Sequence, residues 1–347
     1  MAAEPDVSDP GVPHADLARD TKVPRSLFVA PDGSVHRDLL PNQLSDVVRH
    51  GEGVLWVDVD SSQRLQHAVL EKIFRFHPLA IEDTLNPESR VKLEEYDGYL
   101  FSIIRGVRFD DRTADPYDFR TLNLCFFLGP NYLVTVHAAS SSVCAEIWDR
   151  VTRSPDLVQR GAARLQHSIM DEAIDAYFPI LDQVDEFIEG LESELFEREA
   201  AHELRSIFSV KRLVLSLRRH LGPQREIFQA LANRPQRLVP IEVQLYYRDI
   251  YDHVLRINDA FETQRDMLSS TLETHLSKVS NQLGQVSKGL ALVATLSIPF
   301  VVVSGMWGMN FDHIPLSGSP AGFWILLVAQ LVLGVVLVGL LRFFRWL

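Results

Sequence analysis

Two long stretches near the C-terminal end contain no charged residue, and they constrain the fold more than any other feature. The first extends from Gly289 to Phe311 and the second from Ile314 to Leu341. About 20 helical residues cross the hydrocarbon core of a bilayer, so each stretch is long enough to span it. A pair of buried core helices is the alternative, but helices of that kind usually carry a polar stripe, which is missing here. Residues 289–347 are therefore predicted to form a two-span transmembrane domain.

Basic residues lie on one side of the two predicted spans. They precede the first span and follow the second, at Lys278, Lys288, Arg342 and Arg345. The connecting loop has neither Lys nor Arg, so the positive-inside rule predicts that both termini are cytoplasmic. Residues 1–25 lack an apolar run and are rich in Asp, Pro and Ala, which indicates a disordered tail rather than a signal or transit peptide. We therefore expect a multi-pass protein of the inner (plasma) membrane.

Composition and motifs exclude several classes of function. The 34 Lys and Arg against 46 Asp and Glu give a formal net charge of −12, which argues against nucleic-acid binding. Two cysteines cannot form a disulfide framework or a Cys-rich zinc site, which fits a reducing compartment. The sequence has no phosphate-binding Gly-rich loop, nucleophile elbow or zinc-protease motif. The chain is therefore not expected to be an enzyme.

Residues 26–140 mix strand and helix signals and are predicted to form a cytoplasmic α/β domain of unassigned strand order. A helix is expected to start at Ser61-Ser62-Gln63 and to run toward His77-Pro78. The predicted strands are rich in β-branched and aromatic residues and lie within Arg25–Ala30, Gly53–Val59, Tyr99–Val107 and Asn123–Val136.

Residues 141–288 have a helical pattern and are predicted to form a cytoplasmic stalk. Apolar residues from Met170 to Leu195 alternate at spacings of four and three, which predicts one helix of about residues 170–199. A second helix is expected over about His202–His220, ending at Gly222-Pro223. A third begins near Ile241, and its apolar register continues into the first span. A helix of about 100 Å with such a register is expected to pack against copies of itself.

The sequence Gly308-Met309-Asn310 stands at the outer end of the first predicted span. With this context, the chain resembles the CorA family of two-span magnesium transporters, whose signature is Gly-Met-Asn at this location. Other segments also look like CorA: His77–Asp83, Tyr247–His253 and Phe343–Leu347. A simple helix cap and turn is the alternative reading of the tripeptide.

The resemblance implies an α+β membrane protein that forms a funnel-shaped homopentamer. Its long helical stalk would be continuous with the first of two transmembrane helices. The implied cargo is Mg²⁺, which gives up its water reluctantly. A ring of neutral Asn310 amides, with Gly308 and Met309 beside it, would select the hydrated ion and release it again. Gly308 is expected to let the chain leave the helix freely.

Similarity to the family also places six residues near the pore axis, with Leu290 and Ile298 as apolar gating rings. Ordinary helix packing is the alternative for this face. The chain departs from well-known members at Gly284, where they tend to carry Asn, and in the loop, where Asp312 is the remaining acid. The six positions are Val301, Ile298, Leu290, Ser287, Gly284 and Glu273.

The family further implies cytoplasmic carboxylates that bind regulatory Mg²⁺ between subunits and close the channel. Asp83 and Asp249 are the leading candidates, with Glu82, Asp171 and His253 as weaker ones. A dication between opposed carboxylates converts repulsion into a bridge. Solvated surface charge is the alternative interpretation.

Two other functions stay open at this stage. A zinc transporter like the ZntB branch would keep the architecture, and Co²⁺ or Ni²⁺ also travel hydrated. A membrane-tethered coiled-coil scaffold would explain the register and the hairpin, but it would leave Asn310 without a role.

Overall fold

The computed structural model describes residues 23–110, 113, 117–138, 141–197, 203–309, 315–316 and 318–344. The chain divides into two compact units. One comprises residues 1–194 and 205–268, and the other comprises residues 195–204 and 269–347. In this division α-helical residues from 141 onward group with the N-terminal sheet. The sequence-based boundaries at 25, 140 and 288 remain predictions.

A seven-stranded mixed sheet forms the centre of the first unit, in the order β2-β1-β3-β7-β6-β5-β4. β3 and β7 run parallel, and every other neighbouring pair is antiparallel. The strands are β1 (Arg25–Val29), β2 (Val35–Arg37), β3 (Val54–Asp60), β4 (Lys92–Tyr96), β5 (Tyr99–Phe109), β6 (Phe119–Leu128) and β7 (Tyr132–His137).

Helices cover both faces of the sheet, which explains why β3, β5 and β7 are near-continuous apolar runs. Successive side chains of β3 alternate between the two layers: Val57 joins the core under the first three helices, and the ring of Trp56 packs at a tilt against the ring of Trp148 of α4. The helices of this part are α1 (Pro41–His50), α2 (Arg64–Lys72), α3 (Pro78–Leu85), α4 (Ser142–Arg153), α5 (Asp156–Gln159) and α6 (Ala162–Asp175).

Helix α2 starts where the sequence predicts but ends at Lys72, five residues before His77. The next helix, α3, has His77 as its N-cap, and its first position is Pro78, a residue that suits a helix start and cannot continue a helix.

The single helix expected over residues 170–199 is wrong, because two helices occupy this segment. α6 ends at Asp175, and the next helix, α7, covers Phe178–Glu197. Pro179 explains the interruption, since it has no backbone N–H and its ring would clash with the carbonyl of Asp175. The apolar spacing continues across the break, so Tyr177 is fully buried and its hydroxyl donates to the carbonyl of Arg105 at 2.9 Å.

Two of the remaining helices, Glu203–Leu221 and Ile241–Trp307, start close to the residues that the sequence predicts, whereas Gln224–Asn233 was not predicted as a helix. The predicted break at Gly222-Pro223 separates two of them, and the long helix begins at Ile241 as expected. They are α8 (Glu203–Leu221), α9 (Gln224–Asn233), α10 (Ile241–Trp307) and α11 (Gly322–Phe343).

Gln224, the first residue of α9, is fully buried and clamps the backbone of β5. Its side chain accepts from the N–H of Arg105 at 3.0 Å and donates to the carbonyl of Arg105, also at 3.0 Å. β4 pairs with β5 only as far as Ile103, so Gln224 satisfies backbone groups that the sheet leaves open.

The apolar register of α10 is buried within the same chain in its first half. Ile250, Val254, Ile257, Phe261 and Leu268 have no exposed surface. Hydrogen bonds tie this half to α6 through Tyr247 and Gln166, and to α7 through Gln264 and Asp185. The expectation that the whole register packs against other copies is therefore wrong for this half. The register is exposed further on, at Leu276, Leu283, Val286 and Leu290.

The second unit contains the two helices that are long and apolar enough to cross a membrane, α10 in its C-terminal part and α11. The carbonyl of Phe300 accepts a 3.4 Å hydrogen bond from the side chain of Gln330. One turn further along α11, a Cβ atom on Gly334 would lie 3.0 Å from the ring of Phe300. The two spans therefore approach closely at a glycine, as membrane helices commonly do.

Candidate metal centre and candidate pore residues

Four titratable side chains from α6 and α10 meet on one side of the first unit. Asp171 and Asp175 are one helical turn apart, and so are Asp249 and His253. His253 Nδ1 lies 2.9 Å from Asp175 Oδ1, and its Nε2 lies 3.9 Å from Asp249 Oδ2. One ligand atom each of Asp171, Asp175 and His253 lies within 4.8 Å of the other two. We call these four residues the α6–α10 cluster.

The α6–α10 cluster concentrates negative charge in a partly desolvated place. Burial is the main cause that raises the pKa of Asp171 to about 6, and the neighbouring Asp175 and Asp249 carboxylates raise it further. His253 acts in the opposite direction. A bound dication would remove this repulsion, and carboxylate oxygens are the ligands that Mg²⁺ prefers.

Asp83, a leading candidate from the sequence, has different partners. It forms an ion pair with Lys92 and accepts a 3.3 Å hydrogen bond from Ser89. Glu82 is exposed on the same helix. Within one chain, Asp83 is thus engaged by a cation, whereas Asp249 is 72% exposed and next to His253. Of the predicted residues, the single chain brings together Asp249, Asp171 and His253, while Asp83 and Glu82 lie on α3. A regulatory role for all five stays a prediction.

Sequence reasoning missed Asp175. The signal was present, because Asp171 and Asp175 have the same four-residue spacing as Asp249 and His253. It was hidden within a helix that carries many acids, where solvated charge is the usual interpretation.

At the end of the first span, α10 ends at Trp307 and a turn follows. The N–H of Gly308 donates to the carbonyl of Ser304 at 3.1 Å. Gly308 does not adopt a positive φ, and a Cβ there would make only ordinary contacts at 3.5 Å. The freedom of glycine is therefore not needed to leave the helix here, contrary to expectation. Met309 is exposed, and the predicted filter residue Asn310 and the loop residue Asp312 lie outside the described residues.

The six predicted pore residues share one face of α10. At 100° per residue they fall within an arc of about 120°. All six side chains or glycine positions are exposed in the chain, with Leu290 at 68%, Ile298 at 57% and Val301 at 68%. A common exposed face fits a pore lining and equally fits contact with neighbouring helices.

Most of the chain matches one known protein family. Residues 51–342 match the family of CorA-like Mg²⁺ transporter proteins. The chain belongs to this family. CorA proteins are membrane proteins that transport divalent cations, and the two candidate spans of this chain agree with that class.

Individual relatives support the assignment over most of the chain. The putative metal ion transporter YfjQ of Bacillus subtilis is 29% identical over 81% of this chain and 87% of its own length. The cobalt/magnesium transport protein CorA of Thermotoga maritima is 28% identical over 84% and 83%, respectively. The complete structure of the CorA magnesium transporter from Methanocaldococcus jannaschii has the same fold, with a TM-score of 0.78 at 19% identity, covering 93% of this chain and 98% of that one.

Proposed function

We propose that this protein is a homo-oligomeric, most simply pentameric, channel that conducts Mg²⁺ into the cell along the membrane potential. The proposal is carried by the occurrence of two features in one chain of the CorA family. One is the Gly-Met-Asn sequence at the end of the charge-free first span, and the other is the α6–α10 cluster of carboxylates. Relatives with printed names for magnesium and cobalt transport support Mg²⁺ as the cargo, with Co²⁺ as a second ion.

The driving force requires no nucleotide. A membrane potential of about 100 mV supplies roughly 2.3 kcal/mol for each charge, hence about 4.6 kcal/mol for a divalent cation moving inward. The sequence has no nucleotide-binding motif, which is consistent with movement along a gradient.

Selection would take place at a ring of Gly308, Met309 and Asn310 from each copy. Amide and carbonyl oxygens accept hydrogen bonds from the water shell of Mg²⁺, so the ion would pass without losing that shell. A neutral ring binds weakly enough to release the ion, which rapid conduction requires.

Closure would depend on cytoplasmic Mg²⁺ at carboxylates. The α6–α10 cluster supports this role, because repulsion between Asp171 and Asp175 disappears when a dication binds. A cation that binds the closed arrangement better shifts the population toward it. Asp83 would contribute across a subunit boundary after release from Lys92.

Zinc or cobalt transport is the second candidate, and one observation favours it. His253 places an imidazole in the α6–α10 cluster, and imidazole suits Zn²⁺ and Co²⁺ better than Mg²⁺. Under this alternative the same channel would be controlled by a borderline transition metal.

Cation flux into liposomes tests the transport proposal. Purified wild-type protein should admit Mg²⁺ under an inside-negative potential, and Asn310→Ala should abolish the flux. Asn233→Ala, which changes an exposed asparagine at the end of α9, is the matched control and should retain full flux. Equal flux in wild type and Asn310→Ala would contradict the filter. Faster uptake of Zn²⁺ than of Mg²⁺ would favour the alternative.

Protection from limited proteolysis tests the sensor. Millimolar Mg²⁺ should protect the wild type, and Asp171→Asn should need a several-fold higher concentration. Asp182→Asn, which changes an exposed acid on α7, should behave as wild type. Unchanged protection in Asp171→Asn would exclude the α6–α10 cluster.

A further inference from the structure

Three side chains of different chemistry meet in the interior of the first unit, and none belongs to the α6–α10 cluster. They are Asp58 of β3, His137 at the end of β7 and Cys144 in the first turn of α4. Each is at most 5% exposed. One ligand atom of each lies within 4.8 Å of the other two. A carboxylate, an imidazole and a thiol thus converge on one buried point.

The topology explains this convergence. β3 and β7 are the parallel pair of the sheet, and Asp60 lies opposite His137 in their register. The carboxyl ends of parallel strands are where α/β proteins usually place ligands. Cys144 reaches the same point because α4 starts directly after β7, with Ser141 accepting from the Cys144 N–H at 3.2 Å. The positive end of a helix dipole favours an anionic ligand such as a thiolate.

The surrounding hydrogen bonds orient the ligand atoms of His137 and Asp58 toward each other. His137 Nδ1 lies 3.1 Å from the carbonyl of Ala138, which can only accept, so the ring donates there. Nε2 is left facing Asp58 Oδ1 at 3.0 Å. Histidine ligands of metals commonly have their second nitrogen held by a carbonyl in this way. Thr135 donates to Asp58 Oδ1 at 2.6 Å, and Trp56 donates to Thr135 at 3.0 Å.

Arg25 occupies the other oxygen of Asp58, with Nη2 at 3.2 Å from Oδ2. Asp58 therefore has one oxygen, Oδ1, that faces His137 and is suited to a single metal bond. The set of one nitrogen, one sulfur and one oxygen atom is typical of borderline transition metals and unlike the all-oxygen sites of Mg²⁺.

We propose that Asp58, His137 and Cys144 bind a divalent transition metal of the Zn²⁺ and Co²⁺ class, at a site that Mg²⁺ does not fill. Bonds of about 2.0–2.3 Å in a tetrahedral site place ligand atoms roughly 3.5 Å apart, so His137 and Asp58 must separate by about half an ångström. The thiol proton of Cys144 and the proton at His137 Nε2 pass to water. The two charges of the ion are balanced by the Asp58 carboxylate and the Cys144 thiolate, and water completes the fourth position.

Such a site would give the chain a response to thiophilic ions that is separate from any control by Mg²⁺. It stands independently of the proposed filter and of the α6–α10 cluster, because it shares no residue with either.

Cobalt spectroscopy tests the proposal on the full-length protein. Co²⁺ added to metal-free, reduced protein in excess Mg²⁺ should produce a thiolate-to-cobalt charge-transfer band and strong visible d–d bands. Cys144→Ser should lose the charge-transfer band. Cys125→Ser changes the second buried cysteine, on β6, and should keep it. Absence of the band in wild type, or an undiminished band in Cys144→Ser, would overturn the site.

A second measurement keeps the test valid if Cys144→Ser fails to fold. X-ray absorption of the cobalt-loaded wild type should show one sulfur neighbour at about 2.3 Å together with nitrogen or oxygen neighbours. Only nitrogen and oxygen neighbours would show that Co²⁺ binds elsewhere and would refute the proposal.

Discussion

The ring of Phe300 lies against Gly334, such that a Cβ atom added to Gly334 would be 3.0 Å from Cζ of Phe300. The carbonyl of the same phenylalanine accepts from Gln330, so two contacts from one residue of α10 hold α11 against it. The preceding residue, Pro299, lacks a backbone donor, yet α10 continues to Trp307. Phe300 therefore holds α10 and α11 together at this level of the two spans.

Gly334→Ala should destabilise the hairpin, because the ring of Phe300 must move to admit a methyl group. We expect a loss of about 1–3 kcal/mol, the usual range for overpacking. Thermal unfolding of the purified protein in detergent would measure it. Gly339→Ala is the control on the same helix, where a Cβ meets nothing within 4 Å. Equal effects of the two substitutions would contradict the packing described here.

Gln224→Leu should destabilise the first unit by about 1–3 kcal/mol, since the buried N–H of Arg105 loses its acceptor. Urea unfolding followed by circular dichroism would report the change. Gln229→Leu, at an exposed position of the same helix, should leave the midpoint nearly unchanged. A stability of Gln224→Leu equal to that of wild type would show that water replaces the clamp.

Acidity should weaken Mg²⁺ binding at the α6–α10 cluster through Asp171. Its pKa is about 6 in the folded chain against 3.8 for the ordinary side chain, so between these values the folded state holds a proton that the unfolded state lacks. For this group, folding is therefore favoured as the pH falls through 6, and the carboxylate that a cation needs is lost in the same range. From about pH 7.5 to about pH 5.5, the Mg²⁺ concentration for half protection from proteolysis should rise about fourfold. Asp171→Asn should flatten this dependence, and an unaltered slope would assign it to another group.

Lys92→Met should increase the sensitivity of the protein to Mg²⁺ under the proposal that Asp83 is a ligand. Lys92 is ion-paired with Asp83 and also lies 3.3 Å from Glu94. Both partners are partly solvated, so the ion pair with Lys92 is expected to oppose Mg²⁺ binding by about 1 kcal/mol. Its removal should therefore lower the protective Mg²⁺ concentration roughly fivefold. The comparison is Lys72→Met, an exposed lysine at the end of α2. If Lys92→Met needs as much Mg²⁺ as wild type, Asp83 is not a ligand.

The elements that the sequence predicts well are those with strong local signals. Two charge-free stretches marked the spans, Gly222-Pro223 marked a helix break, and α10 begins at Ile241 as its register indicated. Pro179 was an equally local signal for a helix break. The prediction of one helix followed the apolar spacing instead, because that spacing continues across the break. Periodicity alone reads both sides of that break as one helix.

The features that escaped prediction depend on tertiary contacts. Periodicity shows that one face of α10 is covered but not by what, and its first half turned out to be covered by α6 and α7. The ion pair of Asp83 with Lys92 connects a helix to a strand, and no spacing in the sequence predicts it. Asp58, His137 and Cys144 come from two strands and a helix far apart in the chain, so only the sheet topology brings them together.

Both cysteines of the chain, Cys125 and Cys144, are buried. Water-soluble maleimides should therefore spare the wild type, which makes it a ready background for spectroscopic labels. A single cysteine introduced at the exposed Met309 would then report on the end of the first span without removing either native thiol.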